Sequence, residues 1–178
     1  MKNFSFLVLF SVLLLTACDK DDKDPALPGA VKDIKFEDVS SYTEWKYFSF
    51  SKGEFVTITD FKNDLSWDIA FHRGDVRLNG GASGEGKGEA LNTNKTSWND
   101  VAEAPASGYI KDQVGKITTA FTGEGITEDD QPFSQTLTTW LTVDTSNPPP
   151  KYTVHNWVYV VWKIHSALTP FAKSSLTL

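Results

Sequence analysis

The 178-residue chain contains one cysteine, one methionine and three histidines. With a single cysteine, Cys18, it has no internal disulfide, and dithiol redox chemistry and a cysteine-ligated zinc are excluded. His72, His155 and His165 are scattered without paired spacing, which argues against a zinc site built from protein ligands alone. No apolar run reaches the ~20 residues that a membrane-spanning helix needs. Positive charge is also scarce: 17 basic against 23 acidic side chains give a net charge of −6. A negative domain with scattered lysines is a poor polyanion binder, so nucleic acid is not an expected partner.

An unbroken uncharged and mostly apolar stretch, Phe4 to Leu15, follows Lys2 and runs into Leu15-Thr16-Ala17-Cys18. It has the length of a signal-peptide apolar core. A small residue before cysteine admits a peptidase to the backbone, and the thiol supplies the atom to which lipid attaches. Residues 1–17 are therefore expected to be a lipoprotein signal peptide and Cys18 the lipid attachment site, with acyl chains holding the protein to the membrane. Asp19-Lys20-Asp21-Asp22-Lys23-Asp24 and then Pro25, Pro28 and Gly29 cannot bury a core. Residues 18–41 accordingly read as the lipidated cysteine and a flexible tether. Lys20-Asp21-Asp22 also resembles the export signal of surface-exposed lipoproteins in some Gram-negative bacteria.

The remainder, residues 42–178, suits one domain. Its periodicity is that of strands. Trp67, Ile69 and Phe71 alternate with Asp68 and His72, the pattern of a half-buried strand. Glu44 to Phe50 and Glu54 to Thr59 flank a hairpin-sized turn at Ser51-Lys52-Gly53. Ile117 to Phe121, Ser134 to Val143 and Tyr152 to Ile164 are further runs rich in Thr, Val, Tyr and Trp. Turn signals at Asn79-Gly80-Gly81, Gly123-Glu124-Gly125 and Asn147-Pro148-Pro149-Pro150 separate the runs. The expected fold is all-β, with antiparallel sheets in a sandwich or barrel-like single domain.

Several local motifs are better read as structure than as chemistry. Gly81 to Gly88 nearly spells a phosphate-binding loop, but Gly88 stands where Ser or Thr must follow the lysine. A loop that turns sharply or packs against a neighbour is the better account. Glu85 replaces the second glycine of a nucleophile elbow around Ser83. Arg73-Gly74-Asp75 spells an integrin-binding tripeptide, yet three residues recur by chance and a charged turn at a strand end suffices. Glu128-Asp129-Asp130 lacks the alternating ligands and glycine of a calcium loop and reads as solvated loop charge. His72 is expected to be a hydrogen-bonded structural residue, and His165 to be polar surface. His155 reads either as polar surface or as a metal or haem ligand.

Longer stretches carry a family resemblance. Trp45 to Glu54 (WKYFSFSKGE), Asn63 to Arg73 (NDLSWDIAFHR), Asp75 to Asn79 (DVRLN) and Gly84 to Gly88 (GEGKG) resemble the HmuY family of haem-binding outer-membrane lipoproteins. The likeness runs from about residue 42 to about 161, and from about 162 the chain departs from the pattern, which implies an altered or truncated C-terminus. The resemblance implies an all-β carrier, not an enzyme. It would take haem, or a related porphyrin, from host haemoproteins and pass it to a TonB-dependent outer-membrane receptor. It also implies a pocket between two β-hairpins with His or Met on either side of the iron. Here Thr145 stands where the second hairpin would present a histidine. The first hairpin, expected near Gly123 to Phe133, contains neither His nor Met. His155 or Tyr152 is left as the candidate single iron ligand. His155 is preferred because imidazole binds iron without first losing a proton. The reading from a different class is a cofactor-free surface module binding a host protein or glycan through Trp98, Trp140 or Trp157, with a hydrolase a distant third.

Overall fold

The computed structural model describes residues 37–147 and 149–162. The expected signal peptide, Cys18, most of the expected tether, His165 and the tail beyond 162 lie outside the described residues. Among the described residues ten strands are present: β1 (Lys46–Ser49), β2 (Glu54–Val56), β3 (Ile69–His72), β4 (Asp75–Leu78), β5 (Glu89–Asn92), β6 (Gln113–Thr122), β7 (Gly125–Phe133), β8 (Leu141–Asp144), β9 (Lys151–Val154) and β10 (Tyr159–Trp162). Every pairing is antiparallel. They form one four-stranded sheet in the order β2-β1-β3-β4 and three two-stranded sheets, β10-β5, β6-β7 and β8-β9. The helical pieces are single 3-10 turns at Gly81–Ser83, Trp98–Asp100 and Leu137–Trp140. The all-β antiparallel expectation holds.

The register of the four-stranded sheet sorts its side chains onto two faces. Phe48 pairs with Ile69 and Ile69 with Leu78, so these share a face with Phe71 and Val76. That face forms the larger core cluster with Ala90 of β5, Tyr159 of β10 and Leu137. Tyr47, Ala70 and Arg77 are likewise paired across the other face, with His72 beside them. Tyr47, Ala70 and Trp67 form a second cluster there, bordered by Trp45, Val56, Ile58 and Phe61.

This double burial corrects the half-buried strand expected over Trp67 to Arg73. Asp68 and His72 are buried as well as Ile69, because both faces of β3 are covered. Trp67 also leaves the alternation. It precedes β3 in irregular backbone, donates its indole N–H to the Phe61 carbonyl at 3.0 Å and packs edge-on to Tyr47. Asp68 is used structurally: its Oδ2 accepts the Phe50 amide at 2.7 Å.

The run Ser134 to Val143 is also not one strand. Ser134 accepts the Leu137 amide with its hydroxyl and the Thr138 amide with its carbonyl, which starts the 3-10 turn before β8. A run of hydroxyl side chains offers the backbone such local bonds in place of a ladder. Tyr152 to Ile164 is interrupted in turn. Residues 155–158 carry the chain from β9 to β10, anchored by His155 N–H to Trp140 O (2.7 Å) and Val158 N–H to Lys95 O (2.7 Å).

The glycine-rich loop behaves as read. Gly81 adopts φ +60, a left-handed conformation that favours glycine. Asn79 organises the rest: its amide donates to the Asp64 and Trp67 carbonyls, and its Oδ1 accepts the Gly86 amide at 3.1 Å. A Cβ on Gly84 or Gly86 would press into Asn79. The outer edge of β4 is closed by borrowed groups: Val76 N–H donates to the Thr138 hydroxyl at 3.1 Å and Leu78 N–H to Asp112 Oδ2 at 2.8 Å. Covering an edge in this way blunts its tendency to pair with another chain.

Candidate ligand-binding hairpins

Two hairpins reach beyond this layered body. In β6-β7, Gln113 pairs with Phe133 at the root and Thr122 with Gly125 at the tip, with a bulge between Thr118 and Ala120. The root is packed through buried Ile117, while the tip presents the cross-strand pair Phe121 and Ile126, both exposed. Neither strand contains His or Met, as the sequence required.

In β8-β9, Leu141 pairs with Val154 and Val143 with Tyr152, so these four share one face. Val143, Tyr152 and Val154 are exposed, Tyr152 at 61%. Thr142 and Thr153 occupy the opposite face. Thr145 lies exposed in the connecting loop. His155 follows β9, and its Nε2 lies 2.8 Å from the Thr142 hydroxyl. Its ring also stacks on Trp157, with centroids 4.5 Å apart and planes at 10°. His155 therefore stands on the Thr142 side of the hairpin, and Tyr152 on the apolar side. The structure does not bring the two candidate ligands together, so one iron cannot meet both without refolding the hairpin.

The residues fit a flat apolar ligand with a single donor better than a doubly ligated iron. The apolar face offers Val143 and Val154 beside the Tyr152 phenol. Phenolate is a recognised axial ligand of ferric haem, and such a bond shifts the iron's redox balance toward the ferric state. His155 would first have to give up its Thr142 contact. Among the described residues, no three His, Cys, Asp or Glu side chains gather to hold a metal ion.

The other sequence candidates are accounted for by packing. His72 is buried, stacked on Trp45, with Nδ1 3.4 Å from Asp75 Oδ2. Arg73 lies over the Tyr42 ring at 3.8 Å and donates to the Ser40 carbonyl at 2.9 Å. With Asp75 facing His72, the Arg-Gly-Asp turn is occupied at both charged ends. Trp140 and Trp157 are half-buried against the larger core cluster, and the Trp140 indole donates to the Gly74 carbonyl at 2.9 Å. Of the three tryptophans read as exposed contacts, Trp98 alone is exposed.

Two buried charges escaped the sequence reading. Arg77 is 1% exposed, with its guanidinium between the Trp45 and Phe61 rings at 3.8 and 4.2 Å. Its nitrogens donate to the Pro132 carbonyl (2.9 Å), the Tyr47 hydroxyl (3.2 Å) and Gln131 Oε1 (3.2 Å). Burial pulls its pKa down and pushes that of Tyr47 up. It forms the floor of a cleft of about 540 Å³ bordered by Tyr42, His72, Ile117 and Asp129. Asp112, beside the root of β6, is 3% exposed. Its Oδ2 accepts the Ser83 hydroxyl at 2.6 Å as well as the Leu78 amide, while Oδ1 is buried without a hydrogen-bond partner. Burial pushes its carboxyl up to about 7, against the Ser83 and Leu78 bonds, the Arg77 charge and the Ser134 hydroxyl. In sequence Arg77 looks like an ordinary charge between Val76 and Leu78, and Asp112 stands between Lys111 and Gln113; both patterns normally mark a solvated face.

Comparison with known proteins places this architecture. The family model described as HmuY protein matches residues 41–168, extending past the resemblance seen over about 42–161. An HmuY-like protein of Bacteroides vulgatus, provisionally described as heme-binding, is 30% identical over 70% of this chain and 71% of its own, with a TM-score of 0.56. A protein of Bacteroides fragilis, provisionally described as a lipoprotein, is 28% identical over 71% of this chain and 70% of its own, with a TM-score of 0.58. The apo HmuY analog of Tannerella forsythia shares the fold at 24% identity, covering 73% of this chain and 82% of its own with a TM-score of 0.53. Comparison with curated proteins gave no match. With a family model matched over residues 41–168, across the sheet core and both hairpins, this chain belongs to the HmuY family.

Proposed function

We propose that this protein is a lipid-anchored cell-surface carrier that binds haem, or a related porphyrin, on its hairpins and delivers it to a TonB-dependent outer-membrane receptor. Family membership supports the ligand class, and the Bacteroides vulgatus relative is described as heme-binding. Cys18 and the Lys20-Asp21-Asp22 run support attachment through lipid and display outside the cell. The observation that carries the reading within this chain is the exposed face of β8-β9, where Val143 and Val154 flank Tyr152. Such a face loses apolar area to a flat hydrophobic ligand, which favours binding by about 25 cal/mol per Å² covered.

Tyr152 is the preferred axial donor on this geometry. Sequence alone favours His155, but His155 stands across the hairpin, held between Thr142 and Trp157. The test is a spectroscopic titration of ferric and ferrous haem into the wild type, Tyr152→Phe and His155→Ala. The expected result is a shifted Soret band of a singly ligated haem, favouring the ferric state. Tyr152→Phe should weaken ferric binding about tenfold or more, the worth of about 1.4 kcal/mol, with His155→Ala near the wild type. Loss of binding in His155→Ala alone would return the role to that residue. No Soret shift in any protein would support a cofactor-free interaction module instead, a reading favoured by hairpins that lack His and Met at the family's ligand positions.

A further inference from the structure

Asp112 immediately precedes β6 and Ser134 immediately follows β7, so the two flank the root pair Gln113–Phe133. The root is tied to the body from three directions. Asp112 Oδ2 accepts from Leu78 on the open edge of β4 and from Ser83 in the glycine-rich loop. The Asp112 carbonyl accepts the Ala82 amide at 2.9 Å. Arg77 holds the carbonyl of Pro132 and the side chain of Gln131, one and two pairs along the ladder from the root. This arrangement leaves Oδ1 buried without a partner. A buried carboxylate with an orphaned oxygen is costly when ionised, and much less so when neutral.

We propose that Asp112 is a pH-sensitive latch at the root of the β6-β7 hairpin: neutral, it seats the hairpin on β4 and the glycine-rich loop, and ionised, it loosens that seat. In the neutral form the hydrogen sits on the orphaned oxygen while Oδ2 keeps both of its donors. The ionised form keeps the two donors to Oδ2 and is favoured by the Ser134 hydroxyl and the Arg77 charge, but the burial of Oδ1 outweighs them. Opening the root gives that oxygen water.

The charges around the latch come from few elements. Arg77 on β4 is the cation that acts on it and favours the ionised form. Asp75, also on β4, faces His72 and acts on Arg77. Glu85 and Lys87 of the glycine-rich loop, Lys111 before the strand and Lys116 and Asp130 along the hairpin are all exposed. None of these exposed groups reaches the orphaned oxygen. The sign follows from the two states: the closed root holds its proton up to about 7, whereas an opened, solvated Asp112 loses it near the ordinary carboxylate value of 3.8. Opening is therefore rarest in acid, becomes more frequent as pH rises between those two values and levels off above about 7.

The experiment is site-resolved amide exchange on the full chain between pH 5 and 8, corrected for the intrinsic rates. The amides of Leu78, Gln113 and Phe133 report the latch and the root, and those of Val143 and Tyr152 serve as reference. The expected result is that latch amides open more often by up to about tenfold per pH unit from 5 to 7, then no further. The reference amides should not follow, and Asp112→Asn should flatten the profile. Should that variant fail to fold, a carboxyl carbon titration of Asp112 in the wild type gives the same decision, with a midpoint near 7 expected. Latch and reference amides that change in parallel, an unflattened variant, or an Asp112 midpoint near 4 would each overturn the proposal.

Discussion

Replacing Arg77 by alanine should be among the costliest single changes in this domain. The guanidinium makes three hydrogen bonds and lies between two rings. Hydrogen bonds from a charged donor contribute about 1.5–3 kcal/mol each, and each ring contact about 0.5–2. The sum is not the answer, because alanine also removes the cost of keeping a cation dry, itself several kcal/mol. What survives is the penalty on the groups left behind. The Pro132 carbonyl, Gln131 and Tyr47 lose their donor, and Asp112 loses the cation that favours its charge. Breaking one side of such a buried arrangement costs about 3–5 kcal/mol, and this is the expected loss. It would consume a large part of a typical stability of about 5–15 kcal/mol. Arg77→Met separates the contributions: it keeps an unbranched chain between Trp45 and Phe61 while removing charge and donors, so about 1–3 kcal/mol should be lost. Urea unfolding at neutral pH, followed by tryptophan fluorescence, measures both. A loss below about 1 kcal/mol for the alanine variant would refute the assignment of Arg77 as the tie between the sheet and the β6-β7 hairpin.

Gly86→Ala should destabilise by about 1–3 kcal/mol, because its Cβ would press into Asn79, whose carbonyl and side chain are already bonded within the loop; the urea midpoint reads this, and an unchanged midpoint would show the loop can yield. Cys18→Ala should release the protein from membranes and alter its processing, as seen by fractionation and mass, and unchanged membrane association would remove Cys18 as the anchor. Replacing Lys20-Asp21-Asp22 by alanines should protect the domain from protease added to intact cells; equal cleavage in both proteins would reduce the run to a linker.

Much of the fold was legible because its signals are local. The Ser51-Lys52-Gly53 turn, the alternation through β3 and the glycine punctuation around Asn79 each need only neighbouring residues to be interpreted. Of the β6-β7 hairpin, the Ile117 to Phe121 run, the Gly123-Glu124-Gly125 turn and the lack of His and Met are equally readable. Glu128-Asp129-Asp130, read as loop charge, instead belongs to β7, where pairing with β6 overrides its polar composition. The interruption of the 134–143 run was not, since Ser134, Thr136 and Thr138 satisfy strand and turn compositions alike and the backbone chose the turn through its own hydrogen bonds. By itself the sequence determined an all-β chain of the HmuY pattern whose hairpin runs lack His and Met, and it raised the expectation of a lipid anchor at Cys18. Only the tertiary structure decided that β3 is buried on both faces, that Arg77 and Asp112 are interior charges, and that Tyr152 and His155 stand on opposite sides of one hairpin. The physical reason is that alternation assigns residues to faces, while what covers each face comes from segments distant in sequence. Arg77 reads as solvated until β7 closes over it, and His155 reads as free until Thr142, thirteen residues away, takes its nitrogen.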